Sequence, residues 1–184
     1  MFLLVDNYDS FTYNLYALFR LNGAEVELIK NNETVNADKY EGIIISPGPS
    51  HPANSGTSLH YLKEYAGRKP IFGVCLGMQA IGYHLGYEVG KAKSVMHGKI
   101  DRVKAEKSVI FEGINEFDAV RYHSLAVKGA DHLVTARAKS DGEVMAMEDK
   151  EKMLFGVQFH PESVRSEEGA RMVTNFINFA RGIK

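Results

Sequence analysis

The sequence predicts an α/β protein: a doubly wound, mostly parallel sheet with helices on both faces, and an additional antiparallel β segment in its second half. Three observations predict it. Short apolar runs alternate with helically spaced segments as far as residue 84. One of those runs, Gly42 to Ser46 (GIIIS), is a continuous β-branched stretch of the kind buried on both faces of a parallel sheet. From residue 88 onward the chain breaks into short β-prone pieces between glycine-containing turns.

The elements follow in order. Leu3 to Val5 is a brief strand ending at Asp6, after which Phe11, Leu15, Leu18 and Phe19 recur at helical spacing until Asn22-Gly23. EVELIK (25–30) is the second strand and GIIIS the third, closed by Pro47, Gly48 and Pro49. Leu59, Leu62 and Ala66 mark a helix, Ile71 to Val74 a strand, and Leu76 to about His84 another helix. Residues 88–105, 119–127 and 133–138 are β-prone, and VMAMEDKEKMLFGVQF (144–159) reads as a hairpin whose second strand ends at His160. Val173, Phe176, Ile177 and Ala180 form one face of a closing helix, with Ser166, Glu167 and Glu168 suited to its N-terminus.

Of the 184 residues, 45% are hydrophobic, enough for one globular core, so a single domain over 1–184 is expected. With 22 basic against 23 acidic residues no global field gathers an anionic partner, which argues against nucleic acid and membrane surfaces. No run approaches the roughly 18–20 apolar residues of a membrane span. The opening MFLLVDNYDSF is too short for a signal-peptide core and lacks its basic lead. A single cysteine forms no internal disulfide, so a cytoplasmic location is expected.

That cysteine carries the chemistry. Gly73-Val74-Cys75-Leu76-Gly77 places it at a strand-to-helix turn with glycine two residues away on each side, the cysteine counterpart of the G-x-S-x-G elbow. A helix starting after Cys75 aims free N–H groups at the sulfur, favouring thiolate and oxyanion. The base is expected among seven histidines: His51, His60, His84, His97, His123, His132 and His160. His160 follows a strand that would end at the same sheet edge, and Glu162, two residues on in an extended FHPE segment, can orient it. His51 is the rival, and no carboxylate stands two or three residues from it.

Other chemistries lack their parts. The H-x-E of zinc deaminases needs a later P-C-x-x-C, and the sole cysteine lies upstream. H-E-x-x-H, the phosphate-binding G-x-x-x-x-G-K-[ST] and G-x-G-x-x-G after a strand are missing from the sequence. Lys69, Lys91, Lys93 and Lys99 read as a solvated face.

Gly-Val-Cys-Leu-Gly-Met-Gln, Ser-Pro-Gly-Pro at 46–49 and Phe-His-Pro-Glu at 159–162 resemble the three signatures of the triad, or class I, glutamine amidotransferases. DNYDSFTYN (6–14), MHGK (96–99) and RYHSL (121–125) resemble its chorismate branch, the amidotransferase subunits of anthranilate and aminodeoxychorismate synthases. The resemblance implies a flavodoxin-like sheet and a catalytic triad of Cys75, His160 and Glu162, with an oxyanion hole from the N–H groups of Gly48 and Leu76. It also implies a glutamine pocket formed by Gly48, Pro49, Ser50, Gln79, Ser124 and Leu125. The family turn usually reads Pro-Gly-Pro-Gly, whereas here the fourth residue is Ser50, which is strained if that position needs positive φ.

The same resemblance implies L-glutamine as substrate, a Cys thioester, and ammonia delivered to a chorismate-binding synthase subunit in a heteromer. No cofactor is implied on this chain, with Mg2+ expected only on the synthase partner, and no metal site. Asp9 to Tyr13 and Met96 to Lys99 are the expected partner contacts. The expected member is the glutaminase of anthranilate synthase, in tryptophan biosynthesis. Alternatives are the aminodeoxychorismate synthase subunit of folate biosynthesis, or another Cys-His-Glu hydrolase of the same fold.

Overall fold

The computed structural model describes residues 1–182. The chain begins with strand β1 (Phe2–Asp6), then helix α1 (Thr12–Leu21), β2 (Val26–Lys30), β3 (Ile43–Ile45), helix α2 (Thr57–Tyr65), β4 (Ile71–Val74) and helix α3 (Leu76–His84). It continues through β5 (Glu88–Lys91), β6 (Lys99–Ala105), β7 (Glu116–Arg121), β8 (Leu125–Lys128), β9 (Val134–Ala138), β10 (Val144–Asp149) and β11 (Leu154–Val157) to helix α4 (Gly169–Gly182).

Nine strands form one sheet in the order β2-β1-β3-β4-β11-β10-β9-β6-β7. The first five run parallel, in the order 2-1-3-4-5 if β11 is taken as the fifth, which is the flavodoxin-like winding. The expected antiparallel segment takes two forms. Because β10 and β11 are joined by a tight turn, β10 must run antiparallel to β11, and β9, β6 and β7 follow it as an extension of the same sheet. Among the described residues, β5 and β8 alone stand apart, as a two-stranded antiparallel sheet.

The period of two along β1 shows how both faces are covered. Phe2 and Leu4 join the core beneath α1 and α4, with Leu15, Phe19, Phe72 and Phe176. Leu3 and Val5 point the other way, into the core beneath α2 and α3, with Tyr61, Leu62, Met78 and Ile81. The rings of Phe72 and Phe176 meet at a tilt, 5.2 Å between centroids, so α4 is held by aromatic burial worth about 1.5–3 kcal/mol per ring. Among the described residues no helix is long and apolar enough to cross a membrane.

Three loops leave the carboxyl ends of the parallel strands on one edge. After β1, Asp6 Oδ1 accepts from Tyr8 N and Thr12 Oγ1, both at 2.8 Å, and so shapes the turn into α1. Thr12 is buried by that bond, which removes it from the expected partner contacts. After β3, Ser46 Oγ accepts from Asn7 N at 2.8 Å and ties the second loop to the first. After β11, the strand ends at Val157 rather than at His160: Gln158 N still reaches Met145 O of β10, but His160 N leaves for Val120 O of β7.

Candidate active site

The elbow forms as its glycines require. Cys75 sits between β4 and α3 with φ +53° and ψ −101°, a conformation that costs a non-glycine residue about 1–3 kcal/mol. Its N–H donates to Val157 O at 2.8 Å, and its carbonyl accepts from Gln79 N at 3.1 Å. A Cβ at Gly73 would lie 2.4 Å from the carbonyl carbon of Gly77, and one at Gly77 would lie 2.4 Å from Ile45 O. Both glycines therefore let α3 start immediately over β3 and β4.

His160 stands beside the thiol. Cys75 and His160 line one cavity, and Glu162 Oε1 accepts from His160 Nδ1 at 2.7 Å. The side chains of the pair are almost fully buried, and His160 Nε2 has no hydrogen-bond partner among the described residues. Burial acts against a charged ring, yet the Cys75 sulfur and the Glu162 carboxylate outweigh it and raise the His160 pKa to about 10. Both groups favour the charged ring, the partner a thiolate needs.

The local backbone differs from the expected extended segment. Residues 160–163 form a turn, with Ser163 N donating to His160 O at 3.2 Å, and this turn rather than strand alternation brings Glu162 to Nδ1. Ser166, expected at the N-terminus of α4, instead donates its hydroxyl to His160 O at 2.6 Å. It tethers the histidine. The rival base is excluded: His51 Nδ1 accepts from Ala53 N at 3.2 Å, and Nε2 lies 3.3 Å from Val89 O.

Two cavities meet at Cys75. One, about 180 Å³, is lined by Gly48, Pro49, Ser50, Gln79, Tyr122, His123, Ser124 and Leu125. It brings together every residue expected to hold glutamine. The other, about 220 Å³, is lined by Asp9, Phe11, Pro47, Gly48, His97, Tyr122 and His160. Gly48 borders both, and a Cβ there would strike Leu76 Cδ2 at 2.6 Å, so the absence of a side chain at Gly48 lets the Leu76 side chain pack against it. Neither N–H has a backbone partner among the described residues, leaving both free to serve an oxyanion. The class I glutamine amidotransferase family matches residues 3–179.

The chain is a class I glutamine amidotransferase. It is 44% identical to aminodeoxychorismate synthase component 2 of Serratia marcescens, over 97% of this chain and 100% of that one. It is 43% identical to aminodeoxychorismate/anthranilate synthase component 2 of Bacillus subtilis, over 98% of this chain and 97% of that one. Among solved structures it superimposes on a candidate GMP synthase subunit from Thermoplasma acidophilum with a TM-score of 0.87 at 23% identity, covering 98% and 93% of the two chains. That likeness is one of fold.

In this amidotransferase the pocket residues are joined by a buried polar chain. Arg121, fully buried, donates to Asp101 Oδ2 at 2.6 Å, to Asp141 through both terminal nitrogens, and through Nε to His123 Nε2 at 3.1 Å. His123 Nδ1 therefore carries the proton and donates to Leu125 O at 3.0 Å. Gln79 Nε2 donates to the same carbonyl and to Gln158 Oε1, each at 3.1 Å, and Gln158 Nε2 lies 3.6 Å from Cys75 Sγ. Sequence patterning assigns no role to Arg121 or Gln158, and gives His123 only a place among the candidate bases. The signal for Gln158 is its position, an amide at the end of the apolar run LFGV, where a buried polar group needs partners. Asp9, Phe11 and His97, read as partner-contact segments, line the second cavity, and the Phe11 and Tyr122 rings lie 5.1 and 5.3 Å from the His160 ring.

Two expected results follow from this geometry. Burial, opposed by the bond to Leu125 and aided by Arg121, lowers the His123 pKa from 6.5 to about 4. The unfolded chain protonates this ring at higher pH than the folded one, so its contribution is complete above about 6.5 and is lost as pH falls toward 4. The loss amounts to about 2–3 kcal/mol. Urea midpoints at pH 7 and pH 4.5 check it: His123→Gln lowers stability at pH 7 but shows a shallower loss across the window. Ser50 does occupy positive φ, at +73°. Ser50→Gly is therefore expected to raise stability by about 0.5–1 kcal/mol, the left-handed strain exceeding glycine's added entropy, as read from denaturation midpoints.

Among the described residues no three or more His, Cys, Asp or Glu side chains group as a metal site would require.

Proposed function

We propose that this amidotransferase is the glutaminase subunit of a chorismate-using synthase of the anthranilate type, releasing ammonia from L-glutamine through a Cys75 thioester. One observation carries the reading: Cys75 and a Glu162-bound His160 share a cavity wall, next to a separate polar pocket the size of one amino acid.

Glutamine lies in the 180 Å³ cavity with its amino-acid end toward Gln79, Ser124 and Leu125. Gln79 spends both amide hydrogens on Leu125 O and Gln158, so its Oε1 remains an acceptor for the substrate's ammonium. The Pro49 and Ser50 turn closes the opposite wall. Cys75 Sγ attacks the side-chain carbonyl carbon, and the oxygen, now an anion, takes hydrogen bonds from the Gly48 and Leu76 N–H groups. His160 Nε2 gives its proton to the departing nitrogen, the C–N bond breaks, and ammonia leaves a glutamyl thioester. A water then loses a proton to the same Nε2 as it adds to the thioester, and collapse expels the thiolate and yields glutamate. Glu162 holds Nδ1–H throughout, which fixes the tautomer and steadies the imidazolium.

Both the leaving ammonia and the entering water must stand on the His160 side of the carbonyl. That side is the second cavity, walled by Asp9, Phe11, His97 and Tyr122. Exposed Tyr13, in the first turn of α1, stands two residues after Phe11 and exposed Val95 two residues before His97, and a synthase seated on these segments would receive ammonia before it is protonated. The reaction needs no cofactor on this chain; in this reading Mg2+ serves the synthase, and the complex works in the cytoplasm.

The relatives' names support a chorismate-using partner and divide on the product. The Serratia relative, at 44% identity, favours a second reading in which the product is aminodeoxychorismate. The test mixes the purified chain with either synthase subunit, chorismate and glutamine. Anthranilate formation is expected, aminodeoxychorismate alone selects the second reading, and no amine with either subunit overturns both.

A further inference from the structure

Glutamine hydrolysis as proposed uses Gln79 and Cys75 and leaves Gln158, which stands between them, without a task. Gln158 is fully buried at the carboxyl end of β11. A buried primary amide has two hydrogens and an acceptor oxygen to satisfy, and leaving any unpaired costs about 1–3 kcal/mol. Here the orientation is settled from the far end. Leu125 O can only accept, so the Gln79 nitrogen must face it; that nitrogen's second hydrogen then meets the Gln158 oxygen, and the Gln158 nitrogen is left pointing at the sulfur. A neutral thiol is a weak acceptor, whereas a thiolate is a strong one.

We propose that Gln158 is the hydrogen-bond donor to the Cys75 thiolate, and that through Gln79 it couples occupancy of the amino-acid pocket to the nucleophile. The proposal rests on the glutaminase reading and extends it. A substrate ammonium drawing on Gln79 Oε1 polarises the same amide whose nitrogen bonds Gln158, and Gln158 in turn donates more strongly to Sγ. A substrate lacking the amino-acid end leaves this chain unpolarised, which gives the site a means of favouring glutamine over a simple primary amide. The charged and titratable groups facing the sulfur are His160 with Glu162 behind it, Asp9 and His97 across the second cavity, and His123 across the first.

The experiment exploits the single cysteine, because iodoacetamide uptake by the intact chain reports Cys75 alone. Alkylation rate against pH is measured with kcat and KM for glutamine in the partner complex, for the parent, Gln158→Glu and Gln158→Leu. Losing the donor moves the alkylation midpoint upward by about one pH unit and lowers kcat by about 10–100-fold in both variants. Gln158→Leu is neutral, so its shift reports the lost donor rather than an added charge. Gln158→Glu keeps an acceptor for Gln79 and holds KM within about threefold, whereas Gln158→Leu raises it by about tenfold. Gln158→Met serves if the leucine variant does not fold. A neutral variant with the parent's alkylation profile, or a shifted profile with unchanged kcat, overturns the proposal. Turnover by the parent that survives complete alkylation of Cys75 overturns the glutaminase reading instead.

Discussion

Cys75→Ser is expected to lower glutamine-dependent amination by about 10⁴-fold or more while ammonia-dependent amination by the synthase partner persists. The size follows from the surroundings. Glu162 holds His160 at Nδ1, which suits the ring to share a proton with a thiol and to give one to ammonia, whereas a serine hydroxyl is far too weak an acid to yield its proton to an imidazole. A thiol can hand its proton to that histidine and remain a stable thiolate; an alcohol cannot. The change removes one polarisable sulfur atom from a site at +53° φ and leaves the backbone as it was. Loss of ammonia-dependent synthesis as well would mean that the variant no longer docks, and comparison of the two nitrogen sources in one preparation separates these outcomes.

The second large effect is structural. Gly77→Ala places a methyl 2.4 Å from Ile45 O, and Gly73→Ala places one 2.4 Å from the Gly77 backbone. No side chain can move aside, because each obstacle is main chain within the parallel sheet or the first turn of α3. The helix must lift from β3, and the displaced residues are Cys75 and Leu76. Each substitution is expected to cost about 2–4 kcal/mol and to reduce glutamine turnover by about 100-fold or more even where the chain still folds. Thermal melts paired with turnover at a temperature below the melt check both parts. Gly67→Ala is the control: its added Cβ meets nothing within 4 Å, and its positive φ costs only about 1 kcal/mol, with turnover unchanged.

These cases show what could be read from the residues alone. The elbow was legible because its requirement is local: five consecutive residues state that the backbone bends sharply and that nothing may project beside the bend. The parallel half of the sheet was legible for a similar reason, since GIIIS and IFGV are apolar without alternation and can only be buried on both faces. The sequence places Glu162 beside His160 through an extended segment, whereas the same contact arises from a turn pinned by Ser166. Spacing alone did not distinguish the two.

The buried relay was not legible. Gln158 meets Gln79 from 79 positions away and Cys75 from 83, and Arg121 finds Asp101 twenty residues back on the neighbouring strand. Such partners are set by strand order, which depends on how far the antiparallel strands extend the sheet beyond β11. Sequence patterning indicated β structure there without its neighbours. The roles of Asp9 and His97 were obscured for the same reason, since their two loops meet only after β1 and the approach to β6 are placed on one edge.

The central claim is that glutamine is opened by the lone sulfur with His160 as the proton carrier. The most direct measurement is acid quenching of the partner complex during glutamine turnover, followed by peptide mass mapping. A glutamyl group is expected on the peptide containing Cys75, labile to hydroxylamine, and missing from Cys75→Ser. Undiminished ammonia release with that peptide unmodified at every time, or a glutamyl group carried on another residue, would contradict it.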